Sequence, residues 1–259
     1  RIPAGRNVGG NLSVDEDAFT MDGRTTEEDL ELQLQLLCAS ITDPGYREEA
    51  LRQFRKMLPM ISSQLKFTLS GAMAEMQEWA RGGDGRFAKP DPEVLAKYTA
   101  DDVKAWISPE FDDSYLEISL VGDFDIEKTI PLILGTVGAL PTRSSTRPAL
   151  GKERQLKTPQ LPATRKFTYT SKIPQAASMV GWRIPAVKED IGELRRLNVL
   201  AAILDDRLRT KLREELGATY SPQAHANASM VFDYGNLMAM SIGAPEDVEK
   251  VTPLIQEMG

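Results

Sequence analysis

A guanidinium and a phenol, two groups that donate hydrogen bonds, lie close together late in the chain. Arg213 sits within the string "LREELGATYSPQA" (Leu212–Ala224), and Tyr220 follows it there. A guanidinium presents a rigid fork of N–H donors, which suits the carbonyls of an extended backbone. A phenol can donate to an oxygen that gathers negative charge. The plainer reading of the same residues is a surface ion pair and an ordinary strand aromatic. No catalytic set is legible. A zinc site needs about three neutral or anionic protein ligands, and the chain has one histidine, His225. It reads as a surface or sheet histidine. Cys38, the only cysteine, reads as a small core residue within "LELQLQLLCASI" and cannot form an intrachain disulfide. Asp123 and Asp125 in "GDFD" have no third oxygen ligand nearby and read as turn and N-cap residues. The patterns G-x-G-x-x-G, Walker A, C-x-x-C and G-x-S-x-G are absent.

The element that must carry Arg213 is a long amphipathic helix within Glu189–Tyr220. Leu194, Leu197, Ala201, Leu204, Leu208, Leu212 and Leu216 share one stripe, and Gly217 is placed to end the helix. Tyr220 then opens an extended run, so a helix-borne guanidinium and a strand-borne phenol flank one turn. Around this helix the second half reads strand, strand, helix, strand, strand, helix: Lys166–Ser171, Ala177–Ile184, the long helix, Ala218–Met230, Phe232–Gly243 and a last helix in "APEDVEKVTPLIQEM". That order implies an α+β fold with an antiparallel sheet.

The first half is mainly helical. Val14, Phe19 and Met21 are compatible with one strand. Thr25 and Glu28 fit a capping box ahead of a helix through Ile41, and Arg47–Met76 reads as a second long helix kinked or broken at Pro59. Short helices follow from Pro92 and Thr99. "YLEISLV" (Tyr115–Val121) alternates like a strand and leads into a helix from Ile126. Pro141–Thr164 is polar, with no apolar period, and marks a boundary. The resulting division is a module over 1–145, a linker over 146–164 and a second module over 165–259.

The 259 residues, 41% apolar and 27% charged, are those of a globular protein. A net charge of −7 offers nothing to attract nucleic acid, and no apolar run reaches membrane-spanning length.

The string at Leu212–Ala224 resembles the signature of the non-catalytic module of insulinase/pitrilysin-family zinc peptidases. "VGDFDIEKTIPLILGTVGALP" at Val121–Pro141 is similar to a strand-turn-helix of the same family. The resemblance implies two tandem modules of antiparallel sheet packed on helices, the first lacking its N-terminal part, from the C-terminal, non-catalytic portion of such an enzyme. Arg213 and Tyr220 match the family's substrate-binding pair. The implied partners are a peptide substrate and a catalytic zinc module, on the same parent chain or on a partner subunit. Zinc is expected there and not in this chain, which has no His-x-x-Glu-His. The position of the family's ligating glutamate falls near Ile61. Alone, the chain is expected to be inactive. A bacterial, for instance periplasmic, setting is what the resemblance implies. The alternative is a scaffold or peptide-binding protein, a non-catalytic homologue of these peptidases.

Overall fold

The computed structural model describes residues 5–187, 190–216 and 221–259, without the side chains of Arg213, Glu215 and Leu216. The fold is α+β, with helices and two small antiparallel sheets. The chain divides into two compact units: Arg1–Met57 with Glu93–Ala149, and Leu58–Pro92 with Leu150–Gly259. The sequence division at 146–164 follows chain order, whereas contacts group Leu58–Pro92 with the later residues.

In the first unit, β1 (Asn11–Val14) and β2 (Phe19–Asp22) form a hairpin in which Val14 faces Phe19. The expected single strand is therefore two. The Asp15 N–H donates to the Ala18 carbonyl at 2.8 Å and closes the turn between them. Helix α1 (Leu30–Thr42) follows a 3-10 turn at Glu27–Asp29. The Thr25–Glu28 capping box does not form. Thr26 is the residue before the turn, and its side chain makes no cap bond. Asp29 is buried instead, accepting from the Asn7 N–H at 2.7 Å and from Arg6 at 2.8 Å. The Asn7 N–H holds its carboxyl below the usual range, burial opposes this, and Arg6 adds to it.

Helix α2 (Glu48–Phe67) passes through Pro59 unbroken, and the break expected there falls at Thr68 before α3 (Leu69–Ala80). The chain packs closely at this break: a Cβ on Gly71 would lie 1.7 Å from the Leu65 carbonyl oxygen. A short α4 (Pro92–Leu95) precedes α5 (Ala100–Asp113), whose Thr99 and Asp102 complete a reciprocal capping box. Ile41, Ile107 and Phe111 form the core here, with Phe19 packed edge-on against Phe111 at 5.9 Å. Arg143 donates to the carbonyls of Glu110, Phe111 and Ser114, taking up acceptors that the end of α5 leaves open.

Tyr115–Val121 forms no strand. Alternation supplies a side-chain pattern, but a strand also needs a hydrogen-bonded neighbour, and none is present among the described residues. Val121 is 92% exposed. Helix α6 (Ile126–Gly135) begins as expected, with the Asp125 carboxylate accepting the Lys128 N–H.

The second unit holds the larger core. Strand order is β3 (Ala176–Ile184), β5 (Gly235–Gly243), β4 (Ser221–Ala228), all antiparallel, with β5 in the centre and β4 at an edge. Helices α7 (Ile191–Leu216) and α8 (Val248–Met258) cover one face. Ala201, Leu204, Leu208 and Leu212 of α7 meet Leu237 and Ala239 of β5 and Val251 and Ile255 of α8. Lys166–Ser171, expected as a strand, lacks ladder pairing, although the Tyr169 hydroxyl donates to the Gln175 carbonyl at 2.6 Å. The loop after α3 packs on the turn between β4 and β5. Arg81 stacks on Phe87 (4.6 Å) and Tyr234 (5.0 Å), and Arg86 on Phe232 (4.9 Å).

Candidate functional site

Arg213 falls in the last turns of α7, the longest helix of the chain. The helix persists there because its apolar stripe is almost continuously buried: Ala201 and Leu204 are 4–5% exposed, Leu208 0% and Leu212 1%. Its C-terminal end is thus held against β5 and α8. The Arg213 side chain and the whole of Tyr220 lie outside the described residues, as does the helix-ending Gly217. The flanking frame is described: α7 runs to Leu216, and β4 starts at Ser221, immediately after Tyr220 in sequence.

Further back along the same two elements lies an open groove of about 490 Å³. Asn198, Ala201, Ala202 and Asp205 of α7 form one wall, and Gln223, Ala224, His225 and Ala226 of β4 the other. Asp205 joins the walls. Its Oδ1 accepts the Ala224 N–H at 3.0 Å, and its Oδ2 accepts from Arg209 at 2.6 Å. The sequence reading missed Asp205. Its signal was an acidic residue beside the apolar stripe, one position after Leu204. His225 is an exposed residue of β4, in line with its reading as a sheet histidine.

A second cleft, of about 560 Å³, lies between α3 and the 157–167 stretch. Glu75 and Glu78 stand on one side and Lys157 and Arg165 on the other, with Trp79 packed edge-on against Phe167 at 6.0 Å. Glu75 is already paired with Lys89 at 2.5 Å.

Among the described residues no three His, Cys, Asp or Glu side chains are grouped to hold a metal ion. Cys38 is half-buried in α1, and burial pushes its thiol pKa up. No described helix is long and apolar enough to cross a membrane.

A sequence profile described as the peptidase M16 inactive domain matches residues 97–258, and the chain belongs to that family. This is the non-catalytic part of insulinase- and pitrilysin-type metallopeptidases, as the strings around Arg213 and Asp125 lead one to expect. The chain is 30% identical over 135 residues to the chloroplastic stromal processing peptidase of Arabidopsis thaliana, covering 50% of this chain and 11% of that protein. In fold it is similar to the periplasmic protease PqqL from Escherichia coli (TM-score 0.76, 18% identity), over 98% of this chain and 28% of the other. It is also similar to a peptidase M16 inactive domain from Pseudomonas fluorescens (TM-score 0.70, 17% identity), over 97% and 61%. The chain thus spans only about a tenth of that curated relative's length.

Proposed function

We propose that this chain supplies substrate-binding groups and part of the peptide-enclosing wall to an insulinase-like zinc endopeptidase whose metal is held in another module. In that role Arg213 anchors backbone carbonyls of the peptide, and Tyr220 donates to the oxygen that becomes negative as the scissile carbonyl is attacked. The observation that carries the reading is the string Leu212–Ala224, inside the family-matched region, at the passage from the end of α7 into the edge strand β4. A buried helix stripe makes α7 a rigid mount, and rigid mounts hold donors in register with a reacting group. The sequence has no His-x-x-Glu-His, and in this reading hydrolysis depends on the zinc module, on the same parent chain or on a partner subunit.

The test is Tyr220→Phe in the full-length parent. A bond that strengthens in the transition state lowers kcat and leaves KM nearly unchanged when it is lost. A drop of about 10- to 100-fold in kcat is expected, corresponding to about 1.4–2.7 kcal/mol of lost transition-state stabilisation. Arg213→Lys should raise KM more than it lowers kcat, since a point charge replaces a forked donor. Turnover unchanged in Tyr220→Phe refutes the oxyanion role.

A further inference from the structure

We propose that the free edge of β4 and the adjoining flank of α7 form a strand-accepting groove, taking an extended peptide that pairs with the backbone of Ala226. The proposal rests on the reading above that the end of α7 handles peptide, and extends it to a subsite away from the Arg213/Tyr220 pair.

The direction of the β4 backbone is settled by one hydrogen bond. The Ala224 N–H donates to Asp205 on α7 and so points away from β5. In an antiparallel ladder, residues alternate between those turned to the neighbour and those turned outward. Pro222, Ala224, Ala226 and Ala228 are therefore the outward set. Pro222 fits this phase, because a residue without an N–H is tolerated where no ladder bond is needed. Asp205 occupies the Ala224 donor. Among the described residues, no hydrogen bond reaches the outward N–H or C=O of Ala226.

The rest of the groove suits a backbone rather than a particular charge. Ala201, Ala202, Ala224 and Ala226 keep the walls low. Asp205, its one acidic group, is neutralised by Arg209. The remaining polar groups, Asn198, Gln223 and His225, offer donors and acceptors at the rim. An edge strand beside a helix binds an extended chain through main-chain hydrogen bonds, with side chains seated alternately. In sequence, both elements lead on to the proposed pair. Asp205 precedes Arg213 by about 12 Å of helix rise, and β4 begins next to Tyr220 in sequence.

The probe is an acetylated, amidated peptide of alternating Thr and Val, titrated into the ¹⁵N-alanine-labelled chain. The Ala226 amide resonance should shift on titration, and that of Ala239, on the central strand, should not. Methylating the peptide nitrogen that faces β4 should weaken binding about fivefold, the loss of one net hydrogen bond. Ala202→Trp fills the groove from an exposed helix position and should weaken binding more than tenfold at unchanged melting temperature. Ala226→Pro removes the outward donor, with a ring that also constrains the local backbone, and should weaken it at least about fivefold.

Unchanged affinity in Ala202→Trp, or a peptide shift confined to other alanines, overturns the groove. If Arg213→Ala then weakens the same peptide, the groove alone has failed and the Arg213/Tyr220 reading stands. If the full-length parent, without peptide, already protects the Ala226 amide from exchange, the edge is taken by the protein's own chain and the proposal is wrong.

Discussion

Truncating Leu208 tests whether the buried stripe of α7 is what holds the mount. Leu208 has no exposed surface and lies among Leu204, Leu212, Leu237, Ala239 and Ile255. Leu208→Ala deletes Cγ and both Cδ methyls. At about 0.8 kcal/mol per buried carbon the transfer loss alone is about 2.4 kcal/mol. The neighbours come from two helices and the central strand and can only partly close the hole, which raises the cost to about 3–4 kcal/mol. The control is on the same helix: Leu200 is 48% exposed, so Leu200→Ala should cost below about 1 kcal/mol. The assay is urea unfolding followed by Trp182 fluorescence, in a background with Trp79 and Trp106 replaced by Phe. Trp182 packs against the same cluster and reports on it directly. Equal losses at Leu200 and Leu208 would refute the argument, because helix propensity and not burial would then be setting the stability of α7.

Two further outcomes follow from local geometry. Gly82 and Gly83 both hold positive φ, +69° and +75°, but only Gly82 faces a carbonyl, with a built Cβ 1.8 Å from the Lys157 oxygen. Gly83→Ala should cost about 1–2 kcal/mol for its backbone alone, and Gly82→Ala clearly more, as the difference in unfolding midpoints will show; equal costs would mean the segment at Lys157 is not held there. The Asp84 carboxyl is lowered to about 2, chiefly by its hydrogen bond with the Arg86 side chain. A depressed folded pKa stabilises above the unfolded value near 3.8 and loses that contribution as pH falls toward 2. The melting-temperature difference between the native chain and Asp84→Asn should therefore be full at pH 5, largely lost as pH reaches about 2 and gone below it, and a difference independent of pH would rule the charge out as its source.

Much of the second half was legible in the chain itself. A stripe of leucines at helical spacing has one low-energy solution, so α7 and its buried positions could be read without coordinates. The caps at Thr99 and Asp125 are equally local, each a side chain answering an N–H three residues on. The string from Leu212 carried the family, and with it the substrate-pair hypothesis. What failed were inferences that needed a partner. Tyr115–Val121 and Lys166–Ser171 alternate as strands do, yet pairing depends on an edge supplied by another segment, and alternation does not reveal whether one is there. Pro59 suggests a kink or break in the helix, yet the break falls at Thr68, beside the close approach of Gly71 to the Leu65 carbonyl, a contact six residues apart that no propensity encodes. The groove beside β4 was hidden for the same reason. Asp205 is an ordinary helical carboxylate until the sheet brings the Ala224 N–H to it, and only that meeting shows which side of the strand is open.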